Sequence, residues 1–254
     1  MRMSVCVDSV FRGMDTVEAM RRVRLAGYGA YEFWSWWDKD IGAVKAAQEE
    51  NGLTLTAMCT KFVSLVDPAE RDRYLEGLRE SLEAARALGC KLLISQTGQD
   101  RVGVPRDEQR ASLADGLRAC VPLLEEAGVT LAVEPLNTAV DHAGYFLSSS
   151  DEAFGIVREV GSPFVKVLFD VYHQQITEGD LIRRIRANRH LIGHFHAAGH
   201  PGRGELDAGE IHYENVLGAI RETGYEGYVG LEYFTDGDPM PGLLRWSDKG
   251  KQEA

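Results

Sequence analysis

Short runs of apolar, β-favouring residues alternate with longer stretches of helical periodicity along the whole chain. Eight such runs predict β-strands. Several are almost continuous in Val, Ile, Leu and Phe, as expected for parallel strands buried on both faces. The eight predicted strands are Met3–Val7, Tyr28–Trp34, Leu53–Cys59, Lys91–Thr97, Thr130–Leu136, Val165–Val171, Leu191–Ala198 and Tyr228–Phe234.

The segments between these runs carry signals for the starts and ends of helices. Asp15 or Thr16 can cap a first helix, and Gly27 follows its last apolar position. A glycine just past a helix accepts the left-handed conformation that closes it. The same signal recurs before later strands, at Gly52, Gly89, Gly128, Gly161 and Gly224. Further helix starts are indicated near Pro68, Pro105, Ser150–Asp151 and Asp180.

Eight strand–helix units in 254 residues, without a long linker, predict one α/β domain over residues 1–254, a single (β/α)8 TIM barrel. An open, doubly wound sheet would show a glycine-rich phosphate turn after an early strand. The one such stretch, Gly202–Arg203–Gly204, comes late and precedes no clear helix. The segment after about Gly242 is expected to be a surface helix or partly disordered.

Composition narrows the function further. The chain is 44% hydrophobic and 26% charged, which is typical of a globular protein with a sizeable core. Its formal net charge of −11 argues against nucleic acid or an anionic membrane as a partner. There is no signal-peptide pattern and no apolar run of about 20 residues, so we expect a cytoplasmic protein. Four scattered cysteines without a CxxC pair are expected to be reduced packing residues; they are Cys6, Cys59, Cys90 and Cys120.

Polar residues interrupt the apolar runs at the ends of four consecutive strands. Glu134 lies in LAVEP, Asp170 in VLFDVYH, His194 and His196 in LIGHFHAAG, and Glu232 in VGLEY. In a barrel, the C-terminal ends of all strands converge on one mouth, where active sites form. We therefore expect these side chains to meet.

Three buried carboxylates on adjacent strands repel one another unless a cation lies between them. Pairing with buried Lys or Arg is the alternative, but the strands offer no matching cations. We predict one divalent ion, Mg²⁺, Mn²⁺ or Co²⁺, held by Glu134, Asp170, His196 and Glu232. His194 is interpreted as a deeper residue of the barrel or as a support for the ligands.

Four segments carry a resemblance to a known family. They are EPLNTAVDHAGYFL from Glu134, LFDVYHQQITEGD from Leu168, GHFHAAGHPGRGELDAGEIHY from Gly193 and GLEYF from Gly230. These segments resemble the hydroxypyruvate isomerase family of the xylose-isomerase-like barrel superfamily, over nearly the whole chain. The resemblance places the superfamily's four metal positions on the predicted ligands, Glu134, Asp170, His196 and Glu232. Some members of the isomerase family carry glutamine at the position of His196, whereas related ketose 3-epimerases carry histidine.

The resemblance implies an aldose–ketose-type isomerase that interconverts hydroxypyruvate and tartronate semialdehyde. A metal chelated by the substrate carbonyl and the adjacent hydroxyl stabilises an enediolate. Glu134 and Glu232 are predicted to be the catalytic acid–base residues on opposite sides of the substrate.

Five further residues are candidate substrate contacts. His173 resembles a substrate-hydroxyl contact of the superfamily, or it is a hydrogen-bonded wall residue. Arg203 could hold a substrate carboxylate through two hydrogen bonds, and Lys61 either shares that role or is a solvated surface lysine. Glu205 could orient Arg203 or a catalytic water. His142 could reach the mouth of the barrel or order its own loop.

The aromatic cluster Phe33, Trp34, Trp36 and Trp37 could wall the pocket or pack a subunit contact. It is no nucleic-acid stacking platform, since no basic patch accompanies it. A homo-oligomer is consistent with the family resemblance.

Three other functions are alternatives for a barrel with these residues. A ketose 3-epimerase would use the same ligands but invert one carbon of a free sugar. A metal-dependent endonuclease acting at abasic sites is disfavoured by the negative charge. A non-catalytic binding barrel would leave the complete ligand set without a chemical role.

Overall fold

Eight parallel strands close into a barrel in the order of the sequence, with the last strand paired to the first, in a computed structural model that describes residues 1–247. The prediction of a TIM barrel is confirmed. That the whole chain forms one domain stays a prediction. The strands are β1 Arg2–Cys6, β2 Ala30–Phe33, β3 Thr54–Cys59, β4 Leu92–Ser95, β5 Thr130–Val133, β6 Val165–Asp170, β7 Ile192–Ala197 and β8 Tyr228–Leu231.

The helices surround the strands on the outside of the barrel. They are α1 Val7–Val10, α2 Thr16–Leu25, α3 Ile41–Asn51, α4 Arg71–Leu88, α5 Arg106–Ala127, α6 Ser150–Val160, α7 Val171–Thr177, α8 Leu181–Asn188, α9 Tyr213–Glu222 and α10 Met240–Trp246. Two short 3-10 helices, Pro68–Glu70 and Arg189–Leu191, precede α4 and β7.

The predicted helix boundaries agree with the structure to within a residue or two. Asp15 caps α2 by accepting a hydrogen bond from the Glu18 N–H at 3.1 Å. The left-handed conformation at Gly52 ends α3, and the same conformation follows α4, α5 and α6. The cap of α6 is Ser149, one residue before the predicted start. Seven of the eight predicted strands are longer than the observed ones, and the predicted first strand has the observed length but is shifted by one residue. Except in β3, the last predicted residues leave the sheet and begin the loops and helices of the mouth.

The inside of the barrel has two different halves. Apolar side chains from β3 to β6 fill one half, namely Ala57, Cys59, Ile94, Ala132 and Leu168. Polar side chains from β1, β2 and β7 meet in the other half, namely Ser4, Glu32, His194 and His196. A second apolar layer lies between the strands and the helices. The polar half and the mouth above it therefore concentrate the residues with reactive chemistry.

The four cysteines are free and buried, as predicted. Burial raises the pKa of Cys90 and of Cys120 to about 12, so both thiols stay protonated at neutral pH. No helix within residues 1–247 is long and apolar enough to cross a membrane. The helix predicted after Gly242 begins earlier, at Met240, and residues 248–254 lie outside the described part of the chain.

Candidate metal centre

Glu134, Asp170, His196 and Glu232 meet at the mouth of the barrel. Each offers one ligand atom, and these atoms all lie within 4.8 Å of one another. The four residues are between 1% and 5% exposed. Asp170 and His196 are register partners on β6 and β7, while the two glutamates directly follow β5 and β8. The parallel sheet thus brings four consecutive strand ends to one point.

The donor set fits a divalent cation. His196 Nδ1 has no hydrogen-bond partner among residues 1–247, although it is buried. It lies 3.5 Å from Glu232 Oε2 and 3.7 Å from Glu134 Oε1. A buried nitrogen without a partner is costly unless it holds a ligand. Carboxylate oxygens with one imidazole suit Mg²⁺, Mn²⁺ or Co²⁺ rather than a structural zinc site rich in thiolates.

The pKa values at the centre reflect an excess of buried negative charge. Burial raises the pKa of Asp170 above its ordinary value. Burial would also raise the pKa of Glu232, but the charges of His196 and Arg203 hold it well below its ordinary value. Burial by itself would lower the pKa of His196. The neighbouring glutamates outweigh this effect and raise the pKa well above its ordinary value. The centre therefore attracts positive charge strongly.

Glu232 is held by two further side chains. Trp34 Nε1 donates a hydrogen bond to Glu232 Oε1 at 2.6 Å, and the Arg203 guanidinium forms an ion pair with Oε2. The predicted absence of a matching cation concerned only the strands, and the partner of Glu232 is not on a strand. This cation, Arg203, lies in the loop after β7, and the position of a loop residue does not follow from the strand pattern.

The Arg203 side chain lies beside the metal ligands and is 12% exposed. Its guanidinium lies between two aromatic rings, 5.4 Å from the Tyr172 centroid and 5.5 Å from the Phe234 centroid. Its Nε has no hydrogen-bond partner in the described part of the chain. Arg203 has a left-handed φ of 54° and lies in the glycine-flanked turn noted in the sequence. The guanidinium is therefore held in place, and its Nε–H remains free to donate a hydrogen bond to a ligand.

His173 is fully buried next to Asp170. Its Nδ1 accepts hydrogen bonds from Asn137, from the side-chain nitrogen at 2.7 Å and the backbone N–H at 3.3 Å. Burial and the charge of Arg203 lower the pKa of His173 to about 3, so the ring is neutral and its proton lies on Nε2. That Nε2 lies 3.6 Å from Asp170 Oδ2. His142 packs on His173, with the ring centroids 5.2 Å apart.

Two predicted substrate contacts lie elsewhere. Lys61 pairs with Glu80 on α4 and lies 5.6 Å from the Trp36 ring, outside the cavity that the metal centre opens into. Its tether to α4 removes the support for a role in holding a carboxylate. Glu205 lies against Gly242 of α10, where a Cβ atom would be 2.5 Å from the Glu205 carboxyl carbon. Its carboxylate faces this helix.

A cavity of about 850 Å³ opens above the metal centre. Glu134, His196 and Glu232 form its floor together with Arg203, and Trp34 and His142 lie in its wall. Its outer part is acidic, lined by Asp67, Glu70 and Asp100 with one cation, Arg101. Two roles were predicted for the aromatic cluster, a pocket wall or a subunit contact. Trp34 has the first role, since it lines the cavity. Trp36 packs edge to face on Trp37, and neither lines the cavity. Trp37 packs in the same way on Phe62, which does line it.

Glu32 was missed as a candidate. It is 1% exposed on β2, and His194 Nε2 lies 3.1 Å from both of its oxygens. Its signal was present in the sequence, because AYEF places one acid inside an apolar strand just as the four ligand-bearing strands do. His194 lies one layer deeper than His196, in agreement with its interpretation.

Comparison with known proteins identifies the family. The model of the xylose isomerase-like TIM barrel family matches residues 13–250. The chain belongs to this family.

The curated relatives are named as isomerases. A human putative hydroxypyruvate isomerase is 31% identical, over 92% of this chain and 91% of that protein. The Escherichia coli hydroxypyruvate isomerase is 28% identical, over 98% of both chains. A 2-oxo-tetronate isomerase from Cupriavidus necator is 31% identical over 82% of both chains. The prediction of an enzyme of the aldose–ketose isomerase type is thereby confirmed.

A solved structure shares the architecture closely. The crystal structure of a family-2 AP endonuclease from Brucella melitensis has a TM-score of 0.92 and 28% identity, covering 98% of this chain and all of that one. The barrel architecture is therefore common to proteins that carry different names.

Proposed function

We propose that the chain is a metal-dependent isomerase that interconverts hydroxypyruvate and tartronate semialdehyde, or a closely related small hydroxy-oxo acid. The observation that carries this proposal is a buried guanidinium, Arg203, beside a four-ligand cluster on the floor of one cavity. The cluster suits the hydroxy-carbonyl end of such a substrate, and the guanidinium suits its carboxylate. The names of the human and Escherichia coli relatives point to the same substrate.

The residues of the chain can complete the reaction without a second substrate. A divalent cation bound at the centre would polarise the substrate carbonyl and lower the pKa of the adjacent C–H. One of Glu134 and Glu232 then takes a proton from C3 of hydroxypyruvate, and the same group or its partner returns a proton at C2. The hydroxyl proton moves from the oxygen on C3 to that on C2. The product is an isomer, so atoms and electrons balance.

The two glutamates have different surroundings. Trp34 and Arg203 hold Glu232 as a carboxylate, whereas the described residues show no side-chain hydrogen bond to the Glu134 carboxylate. We propose Glu134 as the more mobile of the two acid–base groups. His173 is neutral, and its Nε2 lies 3.6 Å from Asp170 Oδ2 without a hydrogen-bond partner among residues 1–247, so it can donate to a substrate oxygen. His142 packs against its ring and lines the cavity.

Two competing functions make different demands on the cavity. A ketose 3-epimerase acts on a neutral sugar, which offers no carboxylate to the guanidinium at the floor. An endonuclease must accept phosphates, but five acidic residues and two arginines line this cavity, and the net charge of −11 repels nucleic acid. Both functions are outcomes of the test below.

The test follows hydroxypyruvate by NMR in D₂O, with protein stripped by a chelator and then supplied with Mg²⁺ or Mn²⁺. We expect metal-dependent formation of deuterated tartronate semialdehyde. Glu134→Gln and Glu232→Gln are each expected to lower turnover by about 10²–10⁴-fold. The proposal is wrong if hydroxypyruvate stays unchanged while a ketose is epimerised or an abasic-site duplex is cut. Retention of more than about a tenth of turnover by both variants would remove the acid–base assignment.

A further inference from the structure

A second buried cluster lies in the barrel directly beneath the candidate metal ligands. At its centre, Glu32 accepts hydrogen bonds from three side chains. Ser4 Oγ donates to Oε1, and His194 Nε2 lies 3.1 Å from both carboxylate oxygens. His196 Nε2 lies 3.0 Å from Oε2. Glu32 thus connects one candidate metal ligand to two residues that lie outside the four-ligand set.

These contacts determine which nitrogen of His196 keeps its proton when the ring is neutral, as it must be to bind a metal ion. A carboxylate only accepts hydrogen bonds, so the His196 Nε2 facing Glu32 is a donor. The neutral ring then keeps its lone pair on Nδ1. That nitrogen has no partner among residues 1–247 and faces Glu232 and Glu134 at 3.5 and 3.7 Å. A carboxylate behind a histidine fixes the orientation of metal-binding imidazoles in this way.

We propose that Glu32 is a positioning residue for the metal centre: it fixes the tautomer and ring orientation of His196 so that Nδ1 faces the ion. Glu32 itself touches neither ion nor substrate. Ser4 and His194 hold its carboxylate in place. The inference rests on the proposed function, since it takes the four-ligand cluster to be a metal site.

Strand β8 leaves room for this pair. Gly230 is the register partner of His196, and a Cβ atom at Gly230 would lie 2.5 Å from Glu32 Oε1 and 2.8 Å from His196 Cδ2. Real Cβ atoms do not approach other atoms so closely. The absence of a side chain at position 230 therefore allows the carboxylate to reach the histidine.

The alternative is a second ion bound by Glu32, His194 and His196, whose ligand atoms also lie within 4.8 Å of one another. Both Nε2 atoms would then have to lose their protons, and His196 would have to bind an ion through each nitrogen. The separations of 3.0 and 3.1 Å are the usual lengths of N–H···O hydrogen bonds. The geometry favours the hydrogen-bonded arrangement.

The test titrates Mn²⁺ into chelator-stripped protein and follows free Mn²⁺ by EPR, for the wild type, Glu32→Gln and His194→Gln. Glu32→Gln places an amide N–H₂ group among three donors, so His196 loses its fixed tautomer. His194→Gln is the matched control, because it changes the same buried layer but keeps an N–H donor for Glu32. We expect one Mn²⁺ per chain in all three proteins. The affinity should fall about 10- to 100-fold in Glu32→Gln and stay within about threefold of wild type in His194→Gln.

Equal affinities of the two variants would overturn the inference. So would two ions per wild-type chain and one in Glu32→Gln, which would make Glu32 a ligand of a second ion. A wild type that binds no Mn²⁺ would instead remove the proposed metal centre, and the inference with it. A measurement on the unmodified protein covers the case in which Glu32→Gln does not fold. In ¹⁵N NMR spectra of histidine-labelled, Mg²⁺-loaded wild type, the His196 proton is expected on Nε2, and a proton on Nδ1 would overturn the inference.

Discussion

Replacing Gly230 with alanine tests how tightly the strands pack beneath the metal centre. The added Cβ atom would lie 2.5 Å from Glu32 Oε1, 2.8 Å from His196 Cδ2 and 2.9 Å from Glu32 Cδ. To reach an ordinary contact of 3.4 Å, the carboxylate must withdraw by about 0.9 Å. It has little space to do so, because Ser4 and His194 hold it from the other sides.

Overpacking of this kind costs about 1–3 kcal/mol. In a chain of this length that cost lowers Tm by about 2–12 °C, since 1 kcal/mol corresponds to about 2–4 °C. The displaced carboxylate also loses its hold on His196. We therefore expect Gly230→Ala to weaken Mn²⁺ binding by about tenfold or more. The assays are thermal unfolding of the metal-free protein and Mn²⁺ titration.

Gly155→Ala on α6 is the control, since a Cβ atom there meets nothing within 4 Å. It is expected to stabilise the helix by about 0.5–1 kcal/mol and to leave Mn²⁺ binding unchanged. The reasoning is refuted if Gly230→Ala unfolds at the wild-type temperature and binds Mn²⁺ with wild-type affinity.

Three further predictions concern the cavity. Trp34→Phe removes the 2.6 Å hydrogen bond to Glu232 and should lower kcat/KM by about 10- to 100-fold, and an unchanged kcat/KM would show that this bond is dispensable. Arg203→Lys should raise KM for hydroxypyruvate about tenfold or more by loss of the planar fork, while Lys61→Ala leaves kinetics within about twofold; equal effects would contradict the placement of the two residues. Metal binding near pH 7 should release a proton, because the surrounding carboxylates, against the effect of burial, raise the pKa of His196 well above its ordinary value. Metal affinity should therefore rise as the pH increases through that pKa, and calorimetry in buffers of different ionisation enthalpy that detects no proton release would contradict this.

The candidate ligands could be found from sequence because each interrupts a run of apolar residues. Glu134, Asp170 and Glu232 follow the strand period at the C-terminal ends of their strands, and parallel strands converge there whatever the details of packing. The glycines that end α3 to α6 were readable for a similarly local reason, since left-handed backbone strongly favours glycine.

Side chains that reach the centre from outside the strands needed the tertiary structure. The loop after β7 brings Arg203 onto Glu232, and the fold alone directs Lys61 to Glu80 on α4. Both residues are cations in segments that follow a strand. The sequence therefore does not distinguish the one that reaches the metal centre from the one that pairs with a helix.

The arrangement inside the barrel was the least accessible from sequence. Ser4, Glu32, His194 and Gly230 are far apart in the chain and meet only because the barrel closes between β8 and β1. Local periodicity determined which residues face inwards, because a strand alternates its side chains between two faces. Which of them touch depends on the register of strands across the closed barrel, and that register is a property of the whole fold.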